Sequence, residues 1–200
     1  MKIASQEMLL ILSGPSGIGK NSVIRQLAEN KECFRFITPL TTRSMRDNEM
    51  PNIDYEFLSK EQFQELIKLR MLFDWDYTLG NYYGFRVDAF QSYDGHVLVT
   101  HALAKMALRI KSRINNVITI FLDPINREHI IHRLSIREGT NNNEMRIQHG
   151  IDEQAHRDLF DYVIKANNTC KFIDQIMRVI RENKCFNSDW RRRCAPPPAS

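Results

Sequence analysis

Gly14, four further residues and then Gly19-Lys20 form the stretch GPSGIGK, which follows the apolar run Met8 to Leu12 and precedes a helical pattern. That spacing, in that position, is what a phosphate-cradling loop requires. Glycines let successive backbone N–H groups turn inward onto phosphate oxygens, helped by the N-terminus of the following helix. The candidate nucleotide-binding residues are therefore Gly14, Pro15, Ser16, Gly17, Ile18, Gly19, Lys20, Asn21 and Ser22. Lys20 would bridge terminal phosphates and offset charge developing on a transferred group. Asn21 stands where such loops carry Ser or Thr, whose hydroxyl serves Mg²⁺. Its amide oxygen is still a donor that a hard cation accepts. Ser22 carries a hydroxyl, but one helix step away.

A second set of phosphate-binding side chains follows in TTRSMR, where Arg43 and Arg46 lie three residues apart. Guanidinium forks bind phosphate bidentately, and folding alone does not need two of them so close.

These loops must hang on a scaffold, and the pattern of short apolar runs alternating with helical stretches predicts an α/β layer fold with a largely parallel sheet. MLLIL (Met8 to Leu12), HVLVT (His96 to Thr100), NVITIFL (Asn116 to Leu122, closed by Asp123-Pro124) and DYVIKA (Asp161 to Ala166) read as buried strands. Helices are expected from the glycine loop to about Glu29, from Ala102, around Ile130, Ile131 and Leu134, and along the face made by Phe172, Ile176, Val179 and Ile180. Between Thr38 and Tyr93 the texture changes: IDYEFL and MLFDWDYT alternate polar with apolar residues, which suits a small antiparallel sheet. Ser59 followed by Gln62 is a capping box that opens a short helix there. GTNNNE (Gly139 to Glu144) is too polar to pack and reads as an exposed loop at the tip of a lid.

The composition bounds the class. At 42% hydrophobic and 26% charged over 200 residues the chain is one soluble globular domain with room for an insert. Its longest apolar run, Met8 to Leu12, is far short of a membrane span. The N-terminal MKIASQE lacks the organisation of a signal peptide, so a cytoplasmic location is expected. The net charge is +4, and three positives are Arg191, Arg192 and Arg193 in a tail ending CAPPPAS. The body is thus near neutral and gives no reason to expect nucleic acid. The tail reads as a frayed, solvated terminus, with a basic docking patch as the other reading. Cys33, Cys170, Cys185 and Cys194 have no metal-ligand spacing and are expected to be reduced thiols.

From Met8 to Ile180 the chain resembles the guanylate kinase family. The resemblance is carried by GPSGIGK, TTRSMR, IDYEF, FDW (Phe73 to Trp75), GNYYG (Gly80 to Gly84), HRLSIREGT (His132 to Thr140) and FDYV (Phe160 to Val163), in the family's order. It implies a P-loop core over 1–37 and 94–185, an acceptor-binding subdomain over 38–93 and a helical lid over about 133–155; the basic, Pro-rich residues 186–200 read separately as a disordered tail. It further implies ATP with Mg²⁺, a nucleoside monophosphate (GMP or dGMP) as acceptor, and a monomer or homodimer. Carried over by position, Arg43 and Arg46 clamp the acceptor phosphate, and Tyr55 and Tyr83 add hydroxyls to it. Asp74 replaces the family's glutamate that reads guanine. Arg133 and Arg137 match the lid arginines that meet the ATP phosphates. The later lid arginine falls at His149, with Arg146 one turn earlier.

Elsewhere the pattern departs. Pro39 stands for a small serine, Phe85 for a Ser or Thr that contacts the base, and Thr100 and His101 stand where acids are expected. Ala166 takes the place of an asparagine, with Asn167 and Asn168 beyond it. The phosphate-handling parts survive better than the base-reading parts. Two other readings follow: a kinase similar to the ribose 1,5-bisphosphate phosphokinases, and a non-catalytic module similar to the guanylate-kinase-like domains of scaffold proteins.

Overall fold

The computed structural model describes residues 8–90, 96–125, 143–183 and Cys194. Strand β1 (Met8–Ser13) is buried along its whole length. Its apolar residues on both faces suit a central parallel strand covered by helices on each side. It pairs in parallel with β7 (Val97–His101) and β8 (Val117–Pro124), giving a five-stranded sheet in the order β2-β7-β1-β8-β9. The edges are β2 (Phe34–Phe36) and β9 (Tyr162–Ala166), also parallel to their neighbours.

Alternation along β1 divides the core. Leu10 and Leu12 pack with Val23, Ile24 and Leu27 of α1 (Lys20–Glu29) and with Phe172, Ile176 and Ile180 of the last helix, α5 (Thr169–Glu182). Leu9 and Ile11 face the opposite layer, with Met106, Ala107 and Ile110 of α3 (Ala104–Arg113). The apolar face expected from Phe172 to Ile180 is thus the buried face of α5. Asn168 begins that helix as its N-cap, accepting from Lys171 N at 2.9 Å.

The insert forms a second sheet in the order β4-β3-β6-β5. Its long pair, β5 (Leu72–Thr78) and β6 (Asn81–Arg86), is antiparallel and is joined by a two-residue turn. Leu79 and Gly80 both have positive φ there, 50° and 75°, as a primed hairpin turn demands. The expectation of an antiparallel sheet needs one correction: β3 (Leu40–Thr41) runs parallel to β4 (Glu56–Phe57). A long loop, rather than a hairpin, joins those two strands, so nothing forces them antiparallel. The capping box closes as expected: Ser59 Oγ accepts from Gln62 N and Gln62 Oε1 from Ser59 N, opening α2 (Lys60–Lys68). Phe63 of α2 stacks on Tyr82 at 5.0 Å, above Gly84, where a Cβ would lie only 3.0 Å from the Phe63 ring.

Helix α4 (Asn143–Ala155) covers the later part of the expected lid and begins within GTNNNE. Arg133, Arg137 and the expected helix around Ile130 lie outside the described residues, as do Arg191 to Arg193. Arg146 falls on α4.

Two of the four cysteines overturn the reduced-thiol expectation, while Cys170 is a free thiol as expected and Cys185 lies outside the described residues. Cys33 and Cys194 form a disulfide, with Cα atoms 5.9 Å apart, and both are buried in the α1/α5 layer. Cys194 is therefore no part of a solvated tail. No pattern of local spacing marks a pair separated by 161 residues. A cross-link closing so long a loop restricts the unfolded chain, which is expected to stabilise the fold by about 2–5 kcal/mol. Dithiothreitol should lower the denaturant midpoint accordingly, and Cys194→Ser should give the lowered midpoint with no further response to reductant. Cys170→Ser, at an exposed free thiol, should leave the midpoint unchanged.

Candidate active site

The phosphate loop crosses the C-terminal edge of the parallel sheet between β1 and α1, the usual ligand edge of such sheets. Gly14 has φ 140°, and a Cβ there would stand 2.4 Å from Leu122 O, so only glycine lets the loop pass over β8. Gly17 and Gly19 also have positive φ, at 82° and 104°. Gly14, Ser16, Gly17, Gly19, Lys20, Asn21 and Ser22 line a cleft of about 290 Å³. Pro15 and Ile18 support the loop from behind: the Pro15 carbonyl accepts from Ile18 N, and the Ile18 side chain is buried in the core. Lys20 Nζ folds back onto the carbonyls of Gly14 and Pro15, the latter at 3.1 Å. Burial pulls the Lys20 pKa down to about 8, Glu153 works against that shift and Arg46 adds to it.

The opposite wall comes from the insert. Arg43, Arg46, Tyr55 and Tyr83 all line the same cleft as Lys20. Thr41 Oγ1 accepts from Arg43 N at 3.1 Å, fixing the backbone from which the guanidinium extends over the Tyr55 ring, 5.3 Å from its centroid. Tyr55 in turn meets Tyr83 edge-on at 6.3 Å, and burial raises the Tyr55 pKa, so its hydroxyl keeps its proton. Four of the five expected acceptor residues are thus brought together.

Asp74 is the fifth, and it is not on the wall of this cleft. Its carboxylate accepts from Arg109 of α3, Nε at 3.0 Å and Nη2 at 3.1 Å. Phe85 lies directly across from it on β6, fully buried against Phe90 at 5.3 Å, and does line the cleft. Thr100 is spent on structure, donating to Ile37 O at 2.7 Å.

His101 is more exacting. Its ring is buried, stacked on Phe36 at 6.2 Å and edge-on to Tyr55 at 5.0 Å. Burial, with the Lys20 charge beside it, depresses its pKa to about 3, so the imidazole is neutral. Nε2 has no hydrogen-bond partner among the described residues, and His101 lines the cleft.

Three carboxylates escaped the sequence reading. Glu49 fills the Arg43 fork, accepting from Nη1 at 2.9 Å and Nη2 at 2.8 Å, and also accepts from Arg46 N at 3.0 Å. Asp54 accepts from Arg25 through Nε at 3.0 Å and through Nη2, from Asn21 Nδ2 at 3.0 Å and from Met50 N at 2.8 Å. Although burial opposes it, the Arg25 contact and then the Met50 and Asn21 donors hold the Asp54 carboxyl below the usual range. Glu153 of α4 accepts from Ala104 N at 3.0 Å, capping α3, and from Ser13 Oγ at 3.2 Å. The only sequence hints were position: Glu49 three residues after Arg46, and Asp54 inside IDYEF.

Because the Asn21 amide nitrogen is spent on Asp54, its oxygen is the atom left for a cation. Among the described residues no group of three or more His, Cys, Asp or Glu is placed to hold a metal. A hard cation here would therefore take the Asn21 oxygen together with ligand phosphates, a donor set that fits Mg²⁺.

A guanylate kinase family model matches residues 6–183. The chain belongs to the guanylate kinase family. It is similar to the guanylate kinase of Desulfitobacterium hafniense (strain Y51), 30% identical over 185 residues that cover 89% of this chain and 91% of the relative. The guanylate kinase of Bacillus subtilis (strain 168) is 30% identical over 179 residues, covering 86% and 87%. In fold it is similar to the crystal structure of guanylate kinase from Anaplasma phagocytophilum, with a TM-score of 0.73 at 24% identity over 93% and 92% of the two chains. A parallel core with a phosphate loop and an inserted sheet is therefore the family's architecture. No helix among the described residues is long and apolar enough to cross a membrane.

The Lys20 environment sets a pH dependence. A lysine with a pKa of about 8 is charged below that pH and loses its proton as pH rises through it. Bound phosphate favours the charged form, so nucleotide binding above pH 8 must take up a proton and weaken as pH climbs. Calorimetry of ATP binding in buffers of different ionisation heat should show that uptake above the Lys20 pKa and little of it near pH ~7. Lys20→Met should abolish the uptake.

Proposed function

We propose that this chain, an ATP-dependent nucleoside monophosphate kinase by its family, moves the γ-phosphate of ATP to the phosphate of GMP or dGMP. One observation carries the reading: Lys20 on the phosphate loop and the Arg43–Arg46 pair on the insert line one cleft. A triphosphate on the loop and a monophosphate on the arginines would thus share that cleft, as direct transfer between them requires.

In this reading an oxygen of the acceptor phosphate attacks the γ-phosphorus in line, and the bond to the β–γ bridging oxygen breaks as ADP leaves. The nucleophile is already an anion, so no general base is needed. Lys20 holds the terminal phosphates and offsets the charge on the transferred group. Arg43, relinquished in part by Glu49, would take the acceptor phosphate, with Arg46 beside it and the protonated Tyr55 and Tyr83 hydroxyls donating to it. Arg133, Arg137 and Arg146 are proposed to meet the ATP phosphates from the lid. Mg²⁺, held through Asn21, would neutralise phosphate charge.

A second reading, transfer to a phosphorylated sugar, gains from one observation. Asp74 is occupied by Arg109, so its presence no longer demands a base in the cleft.

A kinase assay over a panel of nucleoside monophosphates and phosphorylated riboses decides. Turnover of GMP or dGMP is expected, and Arg43→Ala should lower acceptor kcat/KM about 10²-fold, since hydrogen bonds to charged groups contribute about 1.5–3 kcal/mol each. Asn21→Ser should raise the rate at limiting Mg²⁺. Absence of turnover with every monophosphate overturns the proposal, and turnover of a phosphorylated ribose alone moves it to the second reading.

A further inference from the structure

A carboxylate can read guanine only if its oxygens face the base edge with lone pairs to spare. Asp74 is off the cleft wall, and of its lone pairs only one, on Oδ2, is not already engaged. Oδ1 accepts from Trp75 N at 2.8 Å and from Arg109 Nη2 at 3.1 Å, and Oδ2 accepts from Arg109 Nε at 3.0 Å. Arg109 is itself held on the insert, donating through Nη2 to Asp76 Oδ2 and Trp75 O, each at 3.2 Å. One turn along α3, Arg113 Nη1 donates to Phe73 O at 2.7 Å and the guanidinium lies 4.0 Å from the Phe73 ring centroid. The basic edge of α3 thus clamps β5 at four consecutive residues, Phe73 to Asp76. The Asp74 side chain is only 10% exposed, so its charge cannot simply swing into water.

Around Tyr83 the cleft is lined by the apolar Pro39, Phe85, Ala102, Leu103 and Met106 together with Thr78, Asn81 and His101, and Asp74 is not among them. Phe85 stands in register with Asp74, between the strands and the cleft, where a smaller polar residue would have left room.

We infer that Arg109 is a specificity-determining residue: by engaging Asp74 it removes the carboxylate from the acceptor cleft, leaving a base end that accepts nucleoside monophosphates with little preference for guanine. The inference rests on the cleft being the acceptor site, and it concerns which base that site prefers. A site that hydrogen-bonds a substrate group rejects analogues lacking it by orders of magnitude. A site whose reading carboxylate is engaged elsewhere loses that part of its discrimination.

The test is binding by calorimetry of GMP and of inosine monophosphate, the same nucleotide without the 2-amino group, alongside AMP. The wild-type protein should bind the three within about threefold of one another, where a hydrogen-bonding site would separate them by far more. Asp74→Asn, which keeps the side-chain shape, should leave all three affinities unchanged. Arg109→Leu frees the carboxylate and should raise the preference for GMP over inosine monophosphate about tenfold or more. Thermal midpoints confirm that each variant is folded, and if Arg109→Leu is not, the wild-type ratio and Asp74→Asn decide alone. Tenfold or greater guanine preference in the wild type, lost in Asp74→Asn, overturns the inference. So does a folded Arg109→Leu whose preference does not change. Because the readout is affinity, even-handed binding without turnover would leave this inference standing while the kinase proposal falls. No binding by any of the three overturns both.

Discussion

The cleft between the phosphate loop and the insert is lined by cations. Lys20, Arg25, Arg43 and Arg46 all line it. Unpaired charge out of water is costly, and a buried cation without a partner destabilises by several kcal/mol. Three nearly buried carboxylates supply the answer here: Glu49, Asp54 and Glu153. Each also fixes an element of structure. Glu153 ties α4 to the start of α3 and the end of β1, Asp54 ties the loop before β4 to α1, and Glu49 shapes the turn that presents Arg43 and Arg46. The placement of α4 and of the loop carrying Glu49 and Asp54 therefore follows from neutralising the cations of the cleft.

The insert is consequently attached to the core at two ionic points. Near the phosphate loop the attachment is Arg25 and Asn21 on Asp54; at the far end it is Arg109 on Asp74 and Asp76. Asn21 belongs to both the loop and the first attachment. Its side chain couples the residue beside Lys20 to the insert, a task the shorter hydroxyl of Ser or Thr would not perform in the same way. The substitution that looked like a weakened magnesium contact is thus also a gained structural contact.

What was legible in the sequence is what short-range physics decides. The buried β1, the glycine loop, the Ser59 capping box and the α5 face each depend on residues within one turn or one strand, and each formed as expected. The arginine pair and both tyrosines also lie together, because local motifs carried them. What stayed hidden depends on partners far along the chain. Asp74 meets Arg109 35 residues on, Asp54 meets Arg25 29 residues back, and Cys33 meets Cys194 161 residues on. No spacing rule announces such pairs. His101 was similarly opaque: the sequence shows only that it stands where an acid is expected, yet burial leaves its Nε2 without a partner among the described residues in the cleft wall.

Taken one at a time, Phe85, Asp74 and the missing acids at Thr100 and His101, the end of β7, look like independent departures from the family's pattern. The structure makes them one arrangement. Shortening the carboxylate side chain by one methylene keeps it close to β5, within reach of a cation on α3. Arg109 supplies that cation, and a paired carboxylate there needs no base to satisfy it. Once the carboxylate is committed, polar groups at the cleft's far end would be left without partners, and buried polar groups without partners are costly. Phe85, Ala102 and Leu103 present none, and His101 Nε2 is the exception among the described residues. The phosphate end tolerates no such exchange, since its backbone geometry admits only glycine at Gly14 and its charges are tied to three carboxylates at once. Divergence is therefore concentrated where side chains alone set the chemistry, and absent where the backbone sets it.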